Sequence, residues 1–330
     1  MKAVRLYAKD DLRVEEMAAP GEPGPGSVRI KVGAAGICGS DLHNFRTGQW
    51  ITRSPSVAGH EFMGQVDAIG AGVDDLAAGD RVVADSRFWC GDCPACRAGD
   101  HHLCATLGFV GEACDGGFAE EVTLPRRLLH RLPSGIPDAV AAMAEPFAVA
   151  LHAVARLRAP TNAPVLIAGC GPIGGLAALA LTELGYGQIH VADRNARRLE
   201  RVCAVTGARP VALERGAAAS GALFAIEATG SVAALAALID CMGSGGLIAL
   251  VGISHGKLDL DPNLLVEREL GLIGCHAFRD EMPTAIAMLA ACAPRARRLI
   301  DREIKLADVP EAYRRLIAGE AEGLKTIIVP

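Results

Sequence analysis

Residues 164–193 read PVLIAGCGPIGGLAALALTELGYGQIHVAD. A short apolar run, residues 164–168, meets the glycine turn Gly169-Cys170-Gly171-Pro172-Ile173-Gly174. An Ala/Leu-rich helix is expected from Gly175 to Leu184, followed by a second apolar run that ends in Asp193. A glycine triplet alone is weak evidence, but here it leaves a strand, opens a helix and has an acidic residue at the next strand end. That arrangement brings backbone N–H groups against a pyrophosphate at a helix N-terminus. Asp193 can accept both adenosine ribose hydroxyls and repels a 2′-phosphate, so NAD is expected over NADP. Arg194, Arg197, Arg198 and Arg201 read as a solvated helix face, and Arg194 or Arg198 could also tolerate a phosphate.

Downstream, further strands are expected near 210–213, 222–227, 246–251 and 270–275, separated by helical segments. This is the pattern of a doubly wound parallel sheet covered on both faces. Only residues 214–221 separate the third and fourth strands, which predicts a bare turn and a partly uncovered sheet face; the small-residue run 216–221 reads as mobile. Thr229, Val251 and Gly252 fall at strand ends, where such a sheet presents its carboxyl edge to a cofactor. Upstream of about residue 145 the texture is glycine-rich, with short runs at 28–32, 61–69 and 81–84 that suit antiparallel strands. One or two helices over 137–156 bridge the halves, and the segments after 281, with a last strand over 324–329, return to the first half. The expected domains are therefore 1–149, completed by 281–330, and 150–280.

Composition narrows the function. The chain has 330 residues, 51% hydrophobic and 22% charged, enough for two cores. A net charge of −5 and 4% aromatic content argue against a nucleic-acid partner, which needs a basic footprint or stacking platforms. No stretch is long enough to span a bilayer and no export signal is apparent, so a membrane partner is not expected and the cytoplasm is the expected address.

Of 11 cysteines, four are crowded together: Cys90, Cys93, Cys96 and Cys104. Two consecutive Cys-x-x-Cys steps and a returning fourth thiolate suit a closed, structural four-sulfur zinc site. Disulfides are the alternative, strained at such spacing. His101 and His102 read as solvent-facing loop residues, and Cys114, Cys170, Cys203, Cys241, Cys275 and Cys292 as small buried hydrophobes. A second, dispersed set of ligand types, Cys38, His60 and Glu61, lies upstream of the cluster.

Cys38 stands in Gly36-Ile37-Cys38-Gly39-Ser40-Asp41-Leu42-His43 and His60 in Gly59-His60-Glu61-Phe62-Met63-Gly64. With the cysteine lobe and the nucleotide turn in the same order, the chain resembles the zinc-containing medium-chain alcohol dehydrogenases over essentially its whole length. The resemblance implies a GroES-like, mainly antiparallel catalytic domain beside a Rossmann domain, in an α/β chain. It implies two zinc ions: one on the four cysteines, the other catalytic, on Cys38, His60 and Glu145. Glu145 as third ligand is similar to the polyol branch that contains sorbitol dehydrogenase. Glu61 is then expected to touch the metal or its water intermittently, Asp41 to brace His60, and Ser40 with His43 to relay a proton by way of the nicotinamide ribose. Ser40 could otherwise cap a helix starting at Asp41.

Arg279, in His276-Ala277-Phe278-Arg279, is the candidate for substrate hydroxyls, although Asp280 follows it where sorbitol-type relatives carry an aromatic residue. Trp50, Phe109 and Phe118 are pocket candidates against a core reading, and Lys325 could reach the pyrophosphate. The expected activity is hydride transfer between a secondary alcohol, in a polyol or sugar derivative, and NAD, in a homodimer or homotetramer. A threonine-type amino-alcohol dehydrogenase is the close rival. A non-catalytic nucleotide sensor is the rival of another class; it would be expected to have lost a ligand or relay residue, and none is missing.

Overall fold

The computed structural model describes residues 1–214, 221–254 and 256–330. The expected bare turn and mobile run at 214–221 fall almost wholly on residues 215–220, outside the described residues. The chain divides into two compact units, 1–145 with 282–321 and 325–330, and 146–281 with 322–324.

In the second unit the strands follow the order Arg209–Pro210, Ile189–Ala192, Val165–Ala168, Ala222–Glu227, Met242–Leu250, Gly271–Gly274, all neighbours parallel. Val165–Ala168 is buried along its whole length, which is why its sequence shows no alternation. Chain order reverses on either side of this strand, and in open parallel sheets the crevice for a ligand opens at such a point. The helix after it is Pro172–Glu183, three residues earlier than expected, because Pro172 occupies its first turn and Gly171 is the N-cap. Proline suits that place, since its ring pre-sets φ and the missing N–H would have had no partner. The strand expected from 246 begins at Met242, and that expected over 210–213 is reduced to Arg209–Pro210.

In the first unit Ser27–Gly36 pairs antiparallel with Glu61–Ile69, Glu121–Pro125 and Lys325–Ile328. Ile300–Ile304, a strand the sequence pattern did not reveal, adds on in parallel beside Lys325–Ile328. Inward residues such as Val28, Ile30, Phe62, Val82, Phe118 and Leu124 form one core, so Phe118 takes the core reading and not the pocket one. The register places Gly36 opposite Glu61 on one side and Ile327 on the other. Three segments distant in sequence thereby converge at one end of the sheet. The bridging segment is two helices, Asp138–Ala141 and Ala144–Leu157. Among the described residues, 138–157 is the one helical stretch long and apolar enough to cross a membrane, and 83% of its apolar window is buried inside the protein.

Candidate metal centres and dinucleotide site

The four-cysteine segment closes around Cys93, N-cap of the short helix Pro94–Arg97, and the 3-10 turn His101–Leu103 that returns Cys104. All four Sγ atoms lie within 4.8 Å of one another, with Cys90–Cys96 at 3.9 Å and Cys90–Cys104 at 3.5 Å. A disulfide needs about 2.05 Å, whereas a sulfur tetrahedron around zinc at about 2.3 Å has edges near 3.8 Å. The donors therefore fit zinc, and the four thiols are free. The Cys90 N–H and other hydrogen bonds pull the Cys104 thiol down to about 6, while burial pushes Cys96 up to about 12. His102 is buried, contrary to expectation, and His101 stacks on Trp89 with ring centroids 4.5 Å apart. The indole covers one imidazole, and the tight turn folds the other inward.

The second cluster forms where the sheet register brings strand ends together. Cys38 caps the helix Gly39–Thr47, and the Asp41 carboxylate accepts the Cys38 N–H at 2.8 Å. The other Asp41 oxygen stands 3.3 Å from His60 Nδ1. Ser40 is therefore not the cap; its hydroxyl lies 3.4 Å from His60 Nε2. The ligand atoms of Cys38, His60 and Glu61 all lie within 4.8 Å of one another.

Glu145, in the first turn of Ala144–Leu157, stands beside that trio and outside its 4.8 Å span. It is buried, accepts a 2.6 Å hydrogen bond from Ser86 Oγ, and lies under the charges of His60, Glu61 and Lys325. Burial pushes its carboxyl up to about 7. Burial opposes protonation of His60, but the Asp41 carboxylate and Cys38 outweigh it and hold the imidazole well above its ordinary value. A carboxyl reluctant to carry charge alone and an imidazole that attracts a proton describe surroundings that favour added positive charge. These residues fit a metal cation.

Glu61 and Lys325 are 0% and 1% exposed, and Lys325 Nζ donates to Glu61 at 2.7 Å and to the Ile37 carbonyl at 3.0 Å. Lys325 thus has a partner other than a pyrophosphate, and Glu61 is committed to an ion pair. Gly36 makes room for it: a Cβ there would fall 2.4 Å from Glu61 Oε2. Breaking a buried pair from one side leaves the other charge unpaired. Lys325→Met is accordingly expected to destabilise the protein by about 3–5 kcal/mol. The double variant with Glu61→Gln should recover part of the loss, as denaturant unfolding would show.

His43 is buried, with Nε2 3.0 Å from Gln49 Oε1 and its ring 4.3 Å from that of Trp50. Trp50 therefore packs on a relay candidate, and Phe109 is half-buried in the short strand Gly108–Phe109. Ser86, Gln49 and half-buried Glu112, whose carboxyl burial pushes up to about 7, escaped the sequence reading, which takes Lys325 toward a pyrophosphate instead of Glu61. No motif marks the first three; Ser86 reaches Glu145 across 59 positions, and Gln49 meets His43 because the chain turns back at Gly48 after the helix. Among the six single cysteines, Cys170, Cys241 and Cys292 are buried, but Cys114, Cys203 and Cys275 are only half-buried.

In the second unit a cavity of about 640 Å³ is lined by Gly169, Gly171, Pro172, Asp193, Arg198 and Thr229, among others. Asp193 accepts the Cys170 N–H at 2.5 Å and the Asn195 N–H at 2.6 Å, which ties the turn to the next strand end. A Cβ on Gly174 would fall 1.8 Å from the Gly169 carbonyl oxygen, so the helix seats on the turn only with glycine. A Cβ on Gly171 would meet nothing within 4 Å, which leaves open space at the helix N-terminus. Ile173, Val251 and Gly252 do not line this cavity; the Val251 and Gly252 N–H groups both donate to the Glu227 carbonyl at 3.0 Å. Gly171→Val is expected to leave Tm within about 2 °C, because a Cβ there has no protein atom within 4 Å. The KM for NAD should rise at least about tenfold, about 1.4 kcal/mol of binding. Initial rates and a thermal melt would check both.

Known proteins resemble this chain over most of its length. The Alcohol dehydrogenase GroES-like domain profile matches residues 24–134, and the Zinc-binding dehydrogenase profile matches residues 172–291. Sorbitol dehydrogenase of Bacillus subtilis is 29% identical, over 100% of this chain and 97% of that protein. L-threonine 3-dehydrogenase of Deinococcus deserti is 33% identical over 91% of each chain. The crystal structure of an Escherichia coli CFT073 alcohol dehydrogenase in complex with NADH superposes with a TM-score of 0.91. It is 27% identical and covers 100% of this chain and 99% of its own. The chain belongs to the zinc-containing medium-chain alcohol dehydrogenase family. It is an oxidoreductase acting on CH–OH donors, with zinc and a nicotinamide dinucleotide as cofactors.

Proposed function

We propose that this enzyme oxidises a secondary alcohol within a polyol or sugar derivative to the ketone, with NAD as hydride acceptor. The observation that carries the reading is the convergence of Cys38, His60 and Glu61 ligand atoms within 4.8 Å, with buried Glu145 alongside. In this reading Cys38, His60 and Glu145 hold the catalytic zinc, and Cys90, Cys93, Cys96 and Cys104 the structural one. Bound there, zinc supplies Lewis-acid polarisation of the alcohol oxygen, and the dinucleotide supplies the acceptor for hydride. Asp41, by accepting from Nδ1, holds the His60 ring so that Nε2 keeps its lone pair for a ligand. Ser40 takes the alcohol proton, and His43, steadied by Gln49 and Trp50, passes it to solvent. Glu61 holds Lys325 within the site and balances its charge.

Gly169, Gly171, Pro172, Ile173 and Gly174 receive the pyrophosphate, while Asp193, Arg198 and Thr229 border the adenosine side. Val251 and Gly252 shape the strand ends beside them. Arg279 contacts substrate hydroxyls. The enzyme works in the cytoplasm as a homodimer or homotetramer, which light scattering on the purified protein would check.

A second reading has an observation behind it, the 33% identity to L-threonine 3-dehydrogenase. Initial rates with polyols, sugar acids and 2-amino-3-hydroxy acids, each with NAD and NADP, separate the two. The proposal requires the highest kcat/KM on a polyol or sugar derivative with NAD; activity confined to the amino-hydroxy acid would replace it.

A further inference from the structure

Residues 275–281 follow the last strand of the parallel sheet and form a built turn. Ala277 adopts φ 49°, a left-handed conformation that non-glycine side chains resist. Phe278 beside it is 0% exposed and anchors the turn, while Arg279 and Asp280 stand exposed. The Glu281 carboxylate gathers the far side. One oxygen accepts the Arg279 N–H at 2.6 Å and the Asp280 N–H at 3.0 Å. The other lies 2.8 Å from Nδ1 of His152, a buried residue of the helix Ala144–Leu157. A backbone strain held between an apolar anchor and a carboxylate fastened to a buried helix residue is a costly arrangement for an ordinary loop. Such costs persist where a side chain must be presented in one geometry.

We infer that Glu281 is a positioning residue for substrate recognition: braced by His152, it fixes the backbone from which Arg279 addresses the hydroxyls of a polyol. The inference rests on the proposed role of Arg279. Neither His152 nor Glu281 acts on the reacting atoms. Held backbone amides reduce the freedom that Arg279 would lose on binding, so the benefit falls on substrates that use the guanidinium.

The test compares kcat and KM for a polyol and for 2-butanol, which has no second hydroxyl, in the holoenzyme and in Glu281→Ala, Glu281→Gln, Arg279→Gln and the Glu281→Ala/Arg279→Gln double variant. The inference expects Glu281→Ala to lower the polyol to 2-butanol ratio of kcat/KM at least about tenfold, mainly through KM. Glu281→Gln, whose amide oxygen can still accept both backbone bonds, should keep most of the ratio. The double variant should be no worse than Arg279→Gln alone, because both act on one contact. If Arg279→Gln lowers the ratio and neither Glu281 variant does, or if the two losses multiply, the positioning role is refuted while the Arg279 reading survives. An unchanged ratio in Arg279→Gln removes the Arg279 reading, and the inference with it. Should Glu281→Ala fail to fold, His152→Phe decides, since it removes the brace alone: a lowered polyol to 2-butanol ratio supports the inference, and an unchanged ratio or an equal loss on both substrates overturns it.

Discussion

Glu145→Ala is expected to lower kcat/KM by about a thousandfold or more while the protein still folds. A metal that polarises the reacting oxygen supplies several kcal/mol of transition-state stabilisation, and about 4 kcal/mol corresponds to three decades of rate. The substitution removes a carboxylate whose burial pushes it up to about 7 and which accepts a hydrogen bond from Ser86. The fold should tolerate the loss, since an alanine at 145 also removes a buried acid that costs energy without a cation beside it. Bound zinc should fall from two ions per chain to one, as measured by metal analysis after dialysis. A variant with wild-type turnover and two zinc ions would transfer the third ligand to Glu61, the carboxylate that already shares the 4.8 Å cluster with Cys38 and His60.

Cys93→Ser is expected to act on stability and leave the chemistry of the other site to the surviving fold. Cys96 and Cys104 are buried, Cys90 is exposed, and Leu103 is 57% exposed. Four thiolates whose sulfurs all lie within 4.8 Å of one another repel unless an ion is shared among them. Binding of such an ion contributes directly to folding free energy. A loss of several kcal/mol would lower Tm by roughly 5 °C or more in a chain of this size. Thermal unfolding of the variant, and of the wild type after chelation, should give the same direction. An unchanged Tm with two zinc ions retained would count against the four-sulfur assignment.

The two predictions draw on parts of the chain that differ in how openly the sequence displays them. The four cysteines lie within one loop, and the glycine turn lies between a strand and its following helix. In each, spacing along the chain is nearly the same as geometry. Cys38 and His60 were legible because each sits in a dense local signature, although the Gly36–Glu61 register is what joins them. The partners of these residues were not legible. Lys325 reaches Glu61 across 264 positions, Ser86 reaches Glu145 across 59, and His152 reaches Glu281 across 129. No periodicity or spacing rule carries such pairs, because they depend on which strands become neighbours.

Tertiary packing also overrode local expectation. His102 is polar and lies in a loop, yet the turn between Asp100 and Cys104 buries it. Phe118 is a pocket candidate by sequence although a lone aromatic is more often core, and the packing against Gly59, where a Cβ would fall 2.2 Å from its ring, shows why it is core. The strand Ile300–Ile304 is only partly buried and carries Asp301, Arg302 and Glu303, so its apolar pattern is too weak to announce it. Lys325–Ile328, buried throughout, was evident.

The central claim is that one cation is shared by Cys38, His60 and Glu145. Anomalous diffraction at the zinc edge from crystals of the zinc-loaded enzyme tests it most directly. Two peaks per chain are predicted: one enclosed by Cys90, Cys93, Cys96 and Cys104, the other bonded to Cys38 Sγ, a His60 ring nitrogen and a Glu145 oxygen. A single peak at the four cysteines, or a second ion that Glu145 does not touch, would contradict the account.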